Sequence, residues 1–598
     1  MPSATTATEL WSLKTEDPAQ VEQLATVLAC PLTIAHLLIQ RGLADPAAAH
    51  TYLNPSIDDL HDPMLMLGMS AAVERIQRAV AASEPILIYG DYDVDGTTAT
   101  VLLKTAIERI APKDKPTQVR YHVPHRLREG YGMQTTVLGD AAESGIRLVI
   151  SVDTGIRAFA AAREARSLGL DLIVTDHHLP DEAVGIPDAL AVINPMQANC
   201  PYPFKHLCGA AVAFKLSHAI LAAAAQTDEQ RSKLKQALIP SFLKLVAIAT
   251  IADSVPLEGE NRVIAALGLR ELRNPVQPGL RALMQVAQVP TDRSPSATEV
   301  AFRIAPRINA AGRMDVASDV VELFLTRDPA HAAALAEKLH RLNDDRRAIE
   351  QQALDAIDVR LEALRSLGEL TPACLVLDST DWHRGVLGIL ASRVVERTSR
   401  PALVLTHEDG QAHGSGRSIP GFHLLDAITA ADNTGPLFTR FGGHAHAVGF
   451  SLPSDRVELL RTRLESYGLP LSSEVTSATA IECDAELTLT ELTYELTNWL
   501  ERCGPYGIGN REPIFITRNA TLAAPARIIK DKHICLDLAQ PNGGPRLSAL
   551  GWSRSTDWLA RCAELTKDSR IDLAYRLRAK NNPQYPGLEL ELIDLRLA

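Results

Sequence analysis

The sequence predicts a multidomain α/β protein with a parallel sheet and a separate β-barrel, and three features of its patterning carry that prediction. Between about residues 61 and 328, short β-branched apolar segments alternate with helical stretches, the pattern of a doubly wound domain around a parallel sheet. From Ala330 to Leu367 neither Gly nor Pro interrupts a run rich in Ala, Leu, Glu and Arg. A continuous helix there spans roughly 55 Å, at 1.5 Å per residue. In the last part of the chain IFITRNATL, ICLDLA, LSALGW and LELELIDLRL alternate apolar and polar positions between Pro, Gly and Asn clusters, which predicts a small β-barrel.

Taken in chain order, residues 1–60 read as a helical, peripheral segment and 61–328 as the α/β domain. Residues 329–368 read as a helix connecting two lobes; a solvated coiled-coil arm is the alternative, although the apolar positions keep no strict heptad. Residues 369–470, with ACLVLD, PALVLT and AVGFSL between glycine-rich loops, read as a second α/β domain, and 471–598 as the barrel. No sequence repeat is apparent.

Composition agrees with a large enzyme. At 598 residues and 46% hydrophobic, the chain fills several cores. Eight cysteines are dispersed without a C-x-x-C pair, which favours reduced structural thiols over zinc or disulfides. The start MPSATTATELWSLKTED has no basic n-region or apolar h-region, and no apolar run approaches a membrane span, so the expected location is the cytoplasm, with no membrane association. The net charge of −12 runs against indiscriminate nucleic-acid binding. Local distribution decides, however, and RIAPRINAAGR carries Arg303, Arg307 and Arg313 without one acid, a candidate basic groove.

The chemistry is concentrated where apolar segments end. ILIYGDYDVDGTTA places Asp91, Asp93 and Asp95 at alternating positions after a predicted strand. Open α/β sheets bind ligands at the carboxyl ends of their strands. IRLVISVDTGI delivers Asp153, LDLIVTDHHLP delivers Asp176, His177 and His178, and LKLVAIATIADSVPL delivers Asp253. Singly, each acid also reads as a helix cap or a solvated turn. Together they repel one another unless cations sit among them, and oxygen-rich ligands with one nitrogen donor suit Mn²⁺ or Mg²⁺ better than Zn²⁺. The inference is a two-cation hydrolytic centre.

DYDVDG, VDTGI, DHH and ADSVPL, in that order, resemble the four motifs of the DHH phosphoesterase family. PHRLREGYG, APRINAAGRM, WHRGVLGILASR, GSGRS, FGGHAHAVGF and GPYGIGNREP narrow the resemblance to its RecJ branch of single-strand-specific 5′→3′ DNA exonucleases, from about residue 60 onward. The resemblance implies a DHH domain, a DHH-associated domain and a C-terminal oligonucleotide-binding (OB) barrel. It implies that Asp93 and Asp153 hold one cation and that Asp95, Asp153, His177 and Asp253 hold the other, with Asp153 bridging. His178 is expected to hydrogen-bond near the scissile phosphate or to orient a ligand, while Asp91 and Asp176 take supporting or capping roles. Adjacent histidines on a strand face opposite ways, so both reach one site only if the backbone turns.

Arg126, Arg313, Ser415 and Arg417 occupy positions that in RecJ-like proteins form a pocket for the terminal 5′-phosphate, with an ordinary ion pair as the alternative for each arginine. His444 is expected to contact substrate near the metals; His446 reads equally as a core residue. Trp552, Tyr575 and Tyr585 are candidates for base stacking or for core and rim packing. GPYGIGN, without a flanking strand and helix, reads as a domain junction. The implied partners are single-stranded DNA, a single-strand-binding protein and a RecQ-type helicase, with the enzyme a monomer. The alternatives are a DHH phosphodiesterase for short oligonucleotides or cyclic dinucleotides, and a catalytically inactive single-strand-binding scaffold.

Overall fold

The structure, a computed structural model, describes residues 11–130, 132–366, 374–468, 480–540, 546–552, 558–563, 565–580 and 587–598. It opens with a short strand, β1 (Trp11–Leu13), and three helices, Pro18–Leu28, Leu32–Gln40 and Pro46–Leu53. The first and third begin at Asp-Pro: Asp17 and Asp45 accept backbone N–H groups at 3.1 and 2.9 Å, and proline at the first position gives up no helical hydrogen bond.

Five parallel strands follow, β2 (Ile86–Tyr89), β3 (Val119–His122), β4 (Leu148–Val152), β5 (Asp171–Thr175) and β6 (Ala191–Ile193), in the order β3-β2-β4-β5-β6. Alternate side chains enter two cores. Ile88, Ile150 and Ile173 pack on one face with the helices Val94–Ile110 and Gly209–Ala224; Tyr89, Val149 and Val174 pack on the other with Thr135–Glu143 and Phe159–Ser167. Burial on both faces is why these strands read as unbroken apolar runs. β2, β4 and β5 run directly into DYDVDG, VDTGI and DHH.

The fourth apolar segment is a helix, Ile239–Ala252, and not another strand. It is apolar all round because nearly every side chain from Phe242 to Ile251 is buried, so it shows no amphipathic period. The longer stretch Asp228–Ala252 is apolar enough to cross a membrane by composition alone; most of it lies inside the protein core.

The helix Pro329–Ser366 carries Ala332, Leu335 and Leu339 into the core of the parallel-sheet domain and Leu354, Ile357 and Leu361 into the core of the next lobe. It is anchored at both ends, which excludes a solvated coiled-coil arm. The second lobe is built on β7 (Leu375–Ser379), β8 (Ala402–Glu408), β9 (Gln411–Arg417), β10 (Arg440–His444) and β11 (Ala447–Pro453), ordered β10-β11-β9-β8-β7 with only β7 and β8 parallel.

The C-terminal region begins with β12 (Ile481–Cys483) and β13 (Ala485–Glu486) and continues through β14 (Phe515–Leu522), β15 (Arg527–Ile529), β16 (His533–Ala539), β17 (Leu547–Gly551), β18 (Arg570–Ala579) and β19 (Leu588–Leu597). β14, β18, β19, β17 and β16 pair in turn, and β14 pairs again with β16, which closes a five-stranded barrel. Tyr575 is fully buried and shares a 2.8 Å hydrogen bond with Thr517, so it is a core residue and no stacking platform. Trp552 is exposed beside His533; Tyr585 lies outside the described residues.

Residues 11–60 are not peripheral. Ile34, Leu37 and Leu38 share one core with Leu496, Phe515, Leu536 and Tyr575, β1 pairs in parallel with β12, and Trp11 Nε1 donates to Asp594 at 2.6 Å. Sequence reading missed this because the partners lie more than 400 residues away. Leu38→Ala should therefore destabilise the C-terminal unit by about 2–5 kcal/mol, as expected for a fully buried leucine, seen as an earlier urea transition in tryptophan fluorescence. An unchanged transition would show that these helices only rest on the barrel.

Candidate metal centre and strand-binding cleft

The site grows from helix starts and strand ends. Asp93 is the N-cap of the Val94–Ile110 helix, accepting from Asp95 N at 2.9 Å and Gly96 N at 3.1 Å. One oxygen is thereby fixed while the carboxylate still offers a ligand atom beside those of Asp91 and Asp153, so capping and ligation are compatible roles. Asp95 is buried and accepts from Gly209 N at 2.6 Å and Ala210 N at 2.7 Å, at the start of the Gly209–Ala224 helix, whose dipole favours an anion there. Asp153 follows β4 with φ +59°, a left-handed backbone that Asp tolerates better than most residues and that turns its carboxylate inward. Asp253 terminates the Ile239–Ala252 helix.

After Thr175 the backbone leaves β5 and turns, so His177 and His178 come together with ring centroids 4.4 Å apart. Asp176 makes that turn: it accepts from Ile156 N at 2.9 Å, His177 N at 2.7 Å, His178 N at 3.1 Å and His178 Nδ1 at 2.7 Å. His177 Nε2 then stands 3.3 Å from Asp153, 3.7 Å from Asp95 and 3.8 Å from Asp253.

Three overlapping donor groups result, Asp91–Asp93–Asp153, Asp95–His177–Asp253 and Asp153–His177–His178, each with its ligand atoms within 4.8 Å of one another. Asp153 belongs to two of them. Asp91, read from sequence as a supporting residue, has its carboxylate among the ligand atoms. Asp91 Oδ1 and Asp153 Oδ1 are buried without a hydrogen bond, as expected of groups whose partner is a cation. Burial, and then repulsion between neighbours, hold Asp91, Asp93, Asp153 and Asp253 above the usual carboxylate range. Burial keeps His177 below the ordinary imidazole range, leaving it neutral and able to ligate. Burial opposes charge on His178 as well, yet the Asp176 carboxylate overrides it and pushes His178 up to about 9.

A cleft of about 1250 Å³ separates this cluster from the second lobe. Arg126 and Ser415 line it, as does His444 on β10. Arg126 stacks on Tyr92, 4.8 Å from the ring centroid. Arg313, at the end of the Ala305–Met314 helix, donates to Gly385 O at 3.1 Å, and Arg417 donates to Gly416 O at 2.8 Å and Ser415 Oγ at 3.3 Å. Among the described residues none of the three arginines forms an ion pair with a carboxylate. Burial, then mutual repulsion with Arg126, Arg346 and Arg417, lowers Arg313 to about 9, and burial followed by Arg126 lowers Arg417. These guanidiniums need an anion as much as the carboxylates need metal.

Sequence reading missed the glycines that make room for both clusters. A Cβ on Gly209 would sit 2.3 Å from Asp153 Oδ1, one on Gly385 2.3 Å from Arg313 O, and one on Gly388 3.1 Å from Arg417 Nη2. Glycines opening a helix were the only signal. Asn309, whose side chain accepts from Val94 N at 3.2 Å, likewise ties the arginine-bearing helix to the first acidic motif.

The DHH family N-terminal domain matches residues 85–250, the DHHA1 domain residues 371–467 and the RecJ OB domain residues 483–594. The single-stranded-DNA-specific exonuclease RecJ of Bacillus subtilis is 35% identical to this chain, over 98% of the chain and 72% of the relative. The chain belongs to the RecJ family. The crystal structure of RecJ from Thermus thermophilus in complex with Mn²⁺ superposes with a TM-score of 0.78 at 27% identity, covering 98% of this chain and 80% of that one. The Mg²⁺ complex from the same organism gives 0.71 at 26%, covering 98% and 78%. The RecJ family fold and the expected α/β domains with a C-terminal OB barrel are thus shown, and the donor set of this chain fits Mn²⁺ or Mg²⁺.

Gly209→Ala should weaken Mn²⁺ binding at least tenfold by calorimetry, because the new methyl group displaces Asp153, whereas Gly139→Ala, which meets nothing within 4 Å, should leave it unchanged. Equal affinities for the two variants would remove Gly209 from the account of the site.

Proposed function

We propose that this chain is a Mn²⁺- or Mg²⁺-dependent exonuclease that degrades single-stranded DNA from its 5′ end to mononucleotides in repair and recombination. The observation that carries the reading is a cluster of mutually repelling carboxylates beside Arg126, Arg313 and Arg417, none of which forms an ion pair with a carboxylate among the described residues. A metal-bound phosphodiester with a terminal phosphate satisfies both.

Two bound cations would activate water and neutralise charge on the attacked phosphate. Asp91, Asp93 and Asp153 would hold one; Asp95, Asp153, His177 and Asp253 the other. Asp153 would serve both because its carboxylate lies in the group with Asp91 and Asp93 and also in one with His177, whose Nε2 stands 3.3 Å away. Asp176 fixes the His178 ring through Nδ1 and holds the imidazole above its ordinary range, which supports a hydrogen bond from His178 to a phosphate oxygen. Arg126, Arg313, Ser415 and Arg417 grip the terminal 5′-phosphate, arginine forks matching its oxygens, and His444 contacts the first nucleotide. That grip sets the polarity.

The barrel supports a polymeric substrate, since a phosphodiesterase for dinucleotides has no use for it, and the complete set of acids speaks against an inactive scaffold. A single-strand-binding protein and a RecQ-type helicase are the partners we infer from family membership, with the protein acting as a monomer in the cytoplasm.

Asp153→Ala should abolish hydrolysis of a labelled single strand while leaving the circular-dichroism spectrum intact, and EDTA should do the same reversibly. More than about a tenth of the wild-type rate would be incompatible with a bridging ligand, whose loss removes several kcal/mol of transition-state stabilisation. Arg417→Ala should slow cleavage of 5′-phosphorylated strands about ten- to hundredfold more than 5′-hydroxyl strands, the worth of one charge-assisted contact. Equal losses on both ends would mean that Arg417 grips the backbone and does not read the terminus.

A further inference from the structure

The register of the second lobe orders its cleft-facing surface into three rows. Paired residues of antiparallel strands point to the same side and successive residues alternate, so Arg417, Ala447 and His444 form one row, Ser415, Gly449 and Gly442 the next, and His413, Ser451 and Arg440 a third. The opposite face, with Ala412, Gly416, Val448 and Leu452, packs into the lobe's core. The first row and Ser415 belong to the terminal-phosphate pocket described above. The middle row is a bare floor: a Cβ on Gly442 or Gly449 would meet nothing within 4 Å.

The third row lies two residues farther along each strand, about 6.8 Å beyond the middle row. It is built from polar parts that the mechanism leaves unused. His413 Nδ1 is hydrogen-bonded to the Ser451 hydroxyl at 2.9 Å, which fixes the ring, and Arg440 is exposed at the cleft wall. Arg384 reaches the same end of the cleft from the 3-10 turn Arg384–Val386; its carboxylate partner, Glu408, stands at 3.2 Å. Arg384, His413, Arg440 and Ser451 all line the one cleft; burial, then Arg384, and Arg440 against the opposing Glu408, lower His413.

We propose that Arg384, His413, Ser451 and Arg440 form a second phosphate subsite, which takes a phosphate lying beyond the terminal 5′-phosphate of the strand. The proposal rests on the 5′-exonuclease reading. Two sources supply that chemistry. One is the outer phosphates of a 5′-triphosphorylated end, threaded over the glycine floor so that hydrolysis of the first phosphodiester releases a nucleoside triphosphate. The other is the terminal phosphate of a strand bound one nucleotide deeper, in which case water cleaves the second phosphodiester and a dinucleotide leaves.

The test compares initial rates and products on ten-nucleotide strands carrying 5′-monophosphate or 5′-triphosphate ends, for the full-length Mn²⁺-loaded protein and its Arg384→Ala, Arg440→Ala and double variants. If the outer phosphates are the occupant, wild type cleaves triphosphate ends to nucleoside triphosphates with kcat/KM at least equal to that for monophosphate ends. The double variant then loses about tenfold or more on triphosphate ends while monophosphate ends change less than about threefold, the size expected for charge-assisted contacts. If a deeper-bound strand is the occupant, wild type yields a measurable dinucleotide fraction from monophosphate ends and the double variant abolishes it. Equal losses on both ends with mononucleotide products throughout would reduce the row to a general field and overturn the subsite. Absence of any strand hydrolysis by wild type would instead overturn the exonuclease reading, and the subsite with it.

Discussion

The constraint on which this molecule turns is the repulsion among five carboxylates, Asp91, Asp93, Asp95, Asp153 and Asp253, gathered with two histidines in a largely buried space. Buried like charges are costly, and a fold assembles them only by supplying positive potential in advance and leaving the rest to cations. The surrounding architecture supplies that potential. The Val94–Ile110 helix meets Asp93 with its first N–H groups and the Gly209–Ala224 helix meets Asp95 with two more. The parallel sheet brings three strand ends to one edge, and glycines stand wherever a side chain would push an acid aside. Removing any one of these devices returns the repulsion to the fold.

The same logic explains a motif that carries no chemistry of its own. GPYGIGN in the C-terminal unit packs on the segment just after Asp253: Ile508 O accepts from Leu257 N at 2.7 Å, and a Cβ on Gly507 would meet Leu257 at 2.8 Å. Asn510 braces that loop through Cys503 O and Pro505 O, and Arg262, stacked 3.6 Å over Tyr52, donates to Arg502 O and Gly504 O. The N-terminal helices, the barrel and the loop behind the last acid are thus one mechanical unit. A metal ligand at a helix C-terminus has no strand to hold it, and the barrel-side loop provides the missing support.

How much of this was legible follows from the range of the interactions. Asp93, Asp95, Asp153, His177 and Asp253 could be read from sequence because each sits at the end of an apolar run, a local signal, and the structure brings all five together. The fourth run was ambiguous because a wholly buried helix has no period to distinguish it from a buried strand. Asp91 was assigned a supporting place because two-residue spacing says nothing of how far a loop folds back. Gly209 acts on Asp153 from 56 positions away, and Leu38 packs beneath a barrel at the far end of the chain. Such long-range contacts leave no local pattern.

Charge distribution is the last link between fold and substrate. The chain carries 60 basic and 72 acidic residues, a balance that repels polyanions at long range. Arg126 nevertheless lines its cleft, Arg313 and Arg417 lie buried near it, and none of the three has a carboxylate ion-pair partner among the described residues; desolvation of Arg313 and Arg417 makes both more dependent on an incoming anion. A strand that enters the cleft meets Arg126 on its wall, with the buried carboxylates and the other arginines close behind. Occupation by phosphate and metal then relieves two opposite repulsions together. Each stabilises the other's site, so substrate and cations are expected to bind with positive coupling.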